Sequence, residues 1–443
     1  MWIGLDDTDA RTGGCTTFVA FLLLSSLTTL GIDLIGYPRL VRLNPNIPWK
    51  TRGNGALAVN VGHGKGKKTI IGRNKEEVLY SYQSSTAQDT SQLLDIIQNL
   101  IESIVSTNAQ LNSPNTNPGY VIMAEQPPPT IYSQAIHNVM TVNMIEEHLT
   151  STDAIFKGYK NKRGLIGATA AISWPSTTDK TYELIAYRPS SRWGSSRIID
   201  IKSVINFDQS YASSFNNYDY KNKHLAISPH SPCPILFGIR GENPSDLING
   251  LPLLSTEPYN KWVIFESNQA TDDHLQPMTI DQIKPYQSVI VEGIVVKQPY
   301  TIKGGHVLFT LQDQKNNAVD CAAYEPTKEF RSLIRALNCG DRIRVFGGVR
   351  QVPVTINLEK LQVLELVETY EKLENPRCPL CQKHMKSKGL GQGFICKKCK
   401  TTSEKPLQIK KQREIQLGYY EVPVCARRHL SKPLKRMDVR NTD

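Results

Sequence analysis

Two cysteine pairs near the C-terminus constrain this chain more than any other local feature. Cys378-Pro-Leu-Cys381 and Cys396-Lys-Lys-Cys399 are separated by fourteen residues. Two CxxC knuckles at this spacing supply four thiolates for tetrahedral Zn²⁺. A unit this small has too little apolar surface to fold alone, so the metal supplies the missing stability. Four sulfur ligands leave no open position, which makes the predicted zinc structural. Nine cysteines is an odd total. With this spacing it predicts metal binding in a reducing cytoplasm rather than a disulfide framework.

Charge gathers in the same region. From Lys372 onward there are 18 Lys and Arg against 6 Asp and Glu, a net of +12. The preceding 371 residues therefore sum to −1 of the total +11. A basic excess at one end is the footprint of a nucleic-acid-binding module. Lys397, Lys398, Lys410, Lys411, Arg427 and Arg428 offer phosphate contacts, and Tyr419 and Tyr420 offer stacking rings. A solvated basic tail is the competing reading. The N-terminus is acidic and the apolar run Phe18–Leu24 is too short to span a bilayer, so no membrane or targeting segment is expected.

The opposite end carries the chemistry. Trp2–Leu5 reads as a buried strand that empties into Asp6, Asp7 and Asp9. A turn over Arg11–Gly14 follows, and then Cys15, Thr16 and Thr17 precede a helix. Carboxylates at a strand end are hard ligands for Mg²⁺, and a helix start attracts anions. Together they suit phosphoryl transfer; an Asx turn and an ordinary helix cap explain the same residues without it. Further on, Lys50 and Arg52 precede Gly53-Asn54-Gly55. Cations beside small residues admit phosphates closely, although Asn-Gly is also a hairpin signal. Gly62–Thr69 (GHGKGKKT) fails the P-loop spacing and reads as a basic hairpin tip.

The remaining pattern predicts an α/β unit followed by an α+β unit. The first has strands at Leu34–Leu43, Ala56–Val61 and Tyr120–Ala124, with helices near 74–83, 90–106 and 130–149. The second has strands at Thr181–Arg188, Ile235 onward and Lys261–Ser267. Next come Ser288–Val296, His306–Leu311, Ala318–Ala323, Arg342–Gly348 and Thr355–Val367, with a helix near Thr327–Leu337. Five strands with one helix between the third and fourth is the order of an OB fold, a common binder of nucleic acid.

In this order the units resemble the archaeal tRNA-isoleucine agmatidine synthases. The resemblance covers nearly the whole chain. Its most specific pieces are GLDDTD at Gly4–Asp9, GGCTT at Gly13–Thr17 and RLNPNIPWKTRGNGA at Arg42–Ala56. GHGKGKK and much of 200–225 fall outside it. The implied fold is multidomain α/β and α+β. It comprises a kinase-like ATP-binding domain (1–152), a ferredoxin-like domain with the agmatine pocket (153–280), an OB-fold β-barrel (281–370) and a zinc ribbon with a basic tail (371–443).

The resemblance also implies a reaction. Agmatine is joined to C2 of the wobble cytidine of a CAU-anticodon tRNA-Ile, through phosphoryl activation of the C2 oxygen, with AMP and pyrophosphate released from ATP. Asp6, Asp7, Asp9 and Thr16 are then expected to be catalytic, with the aspartates as Mg²⁺ ligands or bases. The first threonine of the family's CTT motif becomes phosphorylated, and here that position is Thr16. Gly14, Thr17, Lys50, Arg52, Gly53 and Asn54 are expected at ATP, and Gly164, Ile166, Gly167 and Glu242 at agmatine. Two other readings use the same residues: a non-catalytic RNA-binding protein, and an ATP-dependent enzyme acting on RNA ends.

Overall fold

The computed structural model describes residues 1–86, 91–177 and 179–437. The first residue of the helix expected over 90–106 and the last six of the unit expected over 371–443 lie outside the described residues. The chain opens with β1 (Trp2–Asp6), α1 (Thr16–Thr29), β2 (Asp33–Arg42), β3 (Gly55–Gly62), β4 (Gly64–Asn74), β5 (Glu77–Ser85) and α2 (Leu94–Asn108). Then come β6 (Gly119–Met123), α3 (Pro129–His137), α4 (Val142–Thr150), β7 (Ile155–Gly158) and α5 (Gly164–Ser173). The next stretch adds β8 (Thr181–Tyr187), α6 (Ile201–Ser210), a short ribbon of β9 (Tyr218–Asp219) and β10 (His224–Leu225), β11 (Ile235–Gly241), α7 (Pro244–Gly250) and β12 (Lys261–Ser267).

Apart from that ribbon, all these strands form one ten-stranded sheet in the order β11-β8-β12-β4-β5-β2-β3-β1-β6-β7. The first two units are therefore joined by backbone hydrogen bonds, with β12 as the seam. Lys261 of β12 pairs with Asn74 of β4, while Ser267 pairs with Leu40 of β2. β2 serves both neighbours through an irregularity between Ile35 and Arg39, where Gly36 adopts φ +66°. Before it β2 pairs with β5, and after it with β12.

Helices cover the sheet for reasons visible in their composition. α1 is apolar nearly all round because it is enclosed nearly all round. Phe18, Phe21, Leu24 and Leu27 pack with Ile101 and Val105 of α2, with Val59 of the sheet, and with Tyr187 and Phe265 of the second unit. Each full burial of that kind contributes about 1.5–3 kcal/mol. α5 is rich in Gly and Ala, and its backbone lies directly on the sheet. A Cβ at Gly4 of β1 would come closer than 3.0 Å to the carbonyl of Ala168.

After β13 (Leu275–Pro277), the strands β14 (Ser288–Thr301), β15 (Val307–Gln312), β16 (Ala318–Ala323), β17 (Arg342–Arg350) and β18 (Thr355–Glu365) form a closed barrel. β14 pairs with β17 to complete the ring. α8 (Phe330–Arg335) lies between the third and fourth barrel strands, as expected, and buries Phe330 and Ile334 in the barrel core. β19 (Thr369–Glu374) leads into the cysteine unit, whose small sheet is β20 (Lys386–Ser387), β21 (Phe394–Ile395) and β22 (Thr402–Ser403). β23 (Leu407–Lys411) returns beside β19, and β24 (Gly418–Glu421) adds to the barrel at β18.

Several expectations are corrected here. Residues 77–85 form strand β5, not part of a helix near 74–83. Lys75, at φ +56°, turns β4 directly into β5, and ladder pairing overrides the local helical pattern. The basic run at 64–69 is the start of β4, paired with β5, rather than a hairpin tip. The helix expected over 130–149 is two helices, because Thr141 caps α4 by accepting from the Met144 N–H.

Residues 422–437 are no free tail. After β24 they cross back to the ten-stranded sheet. Ala270 N donates to His429 O at 2.7 Å, and Leu430 is buried in the core with Ile131, Tyr132 and Trp174. Among the described residues, no helix is long and apolar enough to cross a membrane.

Candidate active site

One cavity of about 370 Å³ gathers residues from across the chain. Asp6, Asp7, Asp9, Thr16, Thr17, Lys50, Arg52, Gly53, Asn54, Ile166 and Gly167 all line it. Three expected residues do not. Gly14 lines an adjoining cavity of about 330 Å³ that shares Cys15 with the first. Gly164 is used for packing, since a Cβ there would come closer than 3.0 Å to Gly119 N. Glu242 is half-exposed and paired with Arg436 at 2.6 Å. Its position after a strand suggested a ligand, but the returning C-terminal segment supplies its cation.

The acidic end of the cavity begins where β1 stops. Asp7 N donates to Asp6 Oδ1 at 2.7 Å, and Asp7 itself adopts the left-handed region at φ +57°. Aspartate tolerates this region better than most side chains, and here it turns the chain out of β1. Burial pushes the Asp7 carboxyl up to about 7, against the opposing donation from Asn117. Burial and the neighbouring Asp7 also raise Asp6 well above its usual range. Burial also raises Asp9, although Arg52 stands 3.4 Å away and opposes it. The three carboxylates do not meet as the cysteines do. Among the described residues, only the four cysteines bring three or more such donor atoms within 4.8 Å of one another.

α1 starts beside these acids. Cys15 occupies its N-cap position without a side-chain hydrogen bond to the helix; Phe18 N donates to Cys15 O at 3.1 Å, which leaves the Thr16 and Thr17 N–H groups of the first turn free for a ligand. Thr8 Oγ1 donates to Thr16 Oγ1 at 3.2 Å, which leaves the Thr16 hydroxyl hydrogen available. Thr17 is instead engaged with Cys15 Sγ at 3.0 Å. Arg52 ties the β2–β3 loop to this region, donating through Nη2 to Gly13 O at 2.9 Å and Gly14 O at 3.2 Å. The loop is held from outside as well. Asn44 donates to Tyr286 O, and Asn46 to Gln287 O, both at 3.0 Å and both just ahead of the barrel strand β14.

The other end of the cavity is a cationic recess that the sequence reading missed. Arg42 of β2 and Arg240 of β11 converge on Glu183 of β8, at 3.6 Å and 3.1 Å. Burial pushes the Glu183 carboxyl up, but Arg240 and Arg42 outweigh it and hold the group below its usual range. Nε of both arginines is buried without a hydrogen-bond partner among the described residues. Lys50 joins them, its ammonium pushed down to about 8 by burial and by Arg428. Unpartnered buried donors and three cations against one carboxylate suit an anion such as phosphate. One signal was available: Glu183 and Arg240 are charges inside otherwise apolar strand runs, TYELIAY and ILFGIRG.

The cysteine unit is separate. Cys378, Cys381, Cys396 and Cys399 converge, with Cys381 Sγ and Cys396 Sγ 3.6 Å apart. Four sulfurs in that arrangement fit a closed tetrahedral zinc site. Cys396→Ser is expected to unfold residues 375–415 while the ten-stranded sheet stays intact. Hydrogen exchange resolved by peptide checks this, and equal protection in the ribbon would count against it. Lys397, Lys398, Lys410 and Lys411 are exposed around it, as a phosphate-binding surface requires. Arg427 and Arg428 are not comparable. Arg427 is 6% exposed and paired with Glu421 at 2.6 Å, and Arg428 stands 3.4 Å from Glu359. Both hold the returning segment rather than project from it.

Comparison with known proteins places the chain first in a class: it is a tRNA-modifying enzyme. Family models match as the TiaS TCKD domain over residues 2–161, the TiaS FLD domain over 162–274 and the TiaS C-terminal zinc ribbon domain over 375–415. The chain is 39% identical to the tRNAIle2 2-agmatinylcytidine synthetase TiaS of Methanocaldococcus jannaschii, over 99% of each protein. It is 40% identical to that of Archaeoglobus fulgidus, over 99% of this chain and 98% of the relative. Apo TiaS superposes with a TM-score of 0.82 at 39% identity, covering 99% and 98% of the two chains. A TiaS complex with this tRNA and ATP superposes at 0.84 with 37% identity over the same shares. The chain belongs to the TiaS family.

Proposed function

We propose that the cavity is where agmatine is attached to C2 of the wobble cytidine of CAU-anticodon tRNA-Ile at the expense of ATP. The carrying observation is that buried carboxylates, a free helix start and a cationic recess share one cavity on a chain alike to TiaS from end to end. A solved TiaS complex holding this tRNA, AMPCPP and agmatine, 35% identical over 99% of the chain, supports the same ligands here.

The C2 oxygen of cytosine is a poor leaving group until it is phosphorylated. Phosphoryl transfer asks for cations around the phosphates and a fixed acceptor. Thr17, Lys50, Arg52, Gly53 and Asn54 are the residues assigned to ATP, and Thr16, with its hydroxyl hydrogen free, is the one that takes a phosphoryl group. Asp6, Asp7 and Asp9, as buried oxygen donors with raised carboxyls, fit Mg²⁺, which would neutralise phosphate charge when bound. Ile166 and Gly167 remain the agmatine candidates on the α5 side.

The first unit is read as a kinase-like domain, the second as ferredoxin-like and the barrel as an OB fold. The exposed lysines of the ribbon carry the tRNA contact. Five thiols outside the zinc ligand set and four within it, none in a disulfide among the described residues, are in keeping with a cytoplasmic enzyme.

Radiolabelled agmatine, ATP with Mg²⁺ and a CAU-anticodon transcript test this. Label is expected on that RNA and not on a transcript with a changed wobble base; no label on the former would sink the reading. Thr16→Ala is expected to lower transfer at least about a hundredfold, with tRNA affinity within about twofold in a filter-binding assay. Loss of tRNA binding would instead assign Thr16 a structural role.

A further inference from the structure

His429 is the one residue of the cavity wall supplied by the returning C-terminal segment. Its surroundings fix its protonation pattern by hydrogen-bond logic. Glu183, held ionised by two arginines, only accepts. Gln269 Nε2 donates to Glu183 Oε2, so Gln269 must present its carbonyl oxygen, Oε1, to the other side. That oxygen stands 3.2 Å from His429 Nδ1. Nδ1 therefore carries the hydrogen, and Nε2 carries a lone pair. The ring is open to the cavity and lies against Gly53, where an added Cβ would stand 3.1 Å from Nε2. Among the described residues Nε2 has no hydrogen-bond partner. The cations around it, Arg42 foremost and then Arg240 and Lys50, hold the imidazole well below its usual range, so it is neutral at physiological pH. Arg428 and Glu359 pair with each other beside it.

A lone pair in a recess otherwise full of N–H donors repels phosphate oxygen and receives an N–H. Resting on the agmatine-transfer reading above, we propose that His429 Nε2 accepts the proton of agmatine's attacking amine. The amine nitrogen forms a bond to C2 while the C2–O bond breaks. Its electron pair leaves with the phosphorylated oxygen, and the N–H proton passes to Nε2. The resulting imidazolium stands next to cations and returns its proton readily to the phosphorus-bearing group that departs with the C2 oxygen or to water. Arg42, Arg240 and Lys50 also favour an uncharged amine in this recess over an ammonium. The assignment leaves the aspartates to the ATP half of the reaction.

The test is single-turnover transfer of labelled agmatine at saturating ATP. Wild-type transfer checks the underlying reading; its absence would overturn that reading and this inference together. His429→Ala is expected to transfer at least a hundredfold more slowly. Added imidazoles should restore transfer, faster with the more basic ring. His429→Gln, which keeps a polar side chain, is expected to be as slow as His429→Ala, to melt like wild type and to bind ATP unchanged. The anchoring bond from Ala270 uses the His429 backbone, so neither variant removes it. An active wild type with His429→Gln equally fast, or His429→Ala not rescued by imidazole, overturns this inference alone.

Discussion

Asp7→Asn is expected to give an inactive protein that is more stable than wild type at pH 8 when free of ligands. The sign follows from the carboxyl being raised to about 7 in the folded chain, against about 3.9 when unfolded. The folded state prefers the protonated form. Its stability is full below the unfolded value and is lost as pH rises through about 7. A shift of this size corresponds to at most about 4 kcal/mol, and partial solvent access brings that to roughly 2. Asparagine cannot ionise, keeps an oxygen to accept from Asn117, and tolerates the left-handed backbone at this position. Melting curves should separate the two proteins by a few degrees at pH 8 and bring them together near pH 4. A constant gap across pH would refute the buried-charge account.

Gly167→Ala should have the other large effect. A Cβ at Gly167 would come closer than 3.0 Å to the Asp6 carboxylate oxygen. α5 has no room to yield, because it is held to the sheet by its own close backbone contacts, and the short Asp6 side chain meets the added atom with its Cγ and Cβ as well as its oxygen. Elsewhere in a helix this change stabilises by about 1 kcal/mol; here overpacking is expected to cost about 1–3 kcal/mol and to lower agmatine transfer at least about a hundredfold. A double-mutant cycle isolates the cause. In an Asp6→Ala background, where only the Cβ at 3.0 Å remains, the stability cost of Gly167→Ala should fall to less than half, and an undiminished cost would place the clash elsewhere.

The two predictions rest on residues of different legibility. Asp6, Asp7, Asp9 and Thr16 are close in sequence, and a strand followed by a helix brings them together without help from the rest of the chain. Lys50 to Asn54 lie in one loop whose Pro, Asn and Gly content announces it. Gly167 was visible only as part of a glycine pair; its contact with Asp6 depends on how α5 lies across β1. Arg42, Glu183 and Arg240 come from three strands, β2, β8 and β11, that share a sheet only because β12 lies between β8 and β2 and joins the two units. His429 had no signal, since it follows a zinc unit and belongs spatially to a cavity formed by the first half of the chain. β5 was misread because a strand bounded by a two-residue turn carries little local pattern of its own. The barrel was legible because its five strands and helix come in an order few folds share.

The return of the C-terminal segment has a consequence for when the cavity comes into being. Its walls run from Asp6 to His429, and the segment that delivers His429 is made after every other wall residue. A nascent chain holding its first two units complete still lacks the imidazole and the strap of Leu430 across the core. The enzyme is thus expected to stay silent on the ribosome until His429 has emerged, and cutting the chain ahead of His429 should silence it again. A ligand cavity assembled this way reports on the integrity of the whole polypeptide.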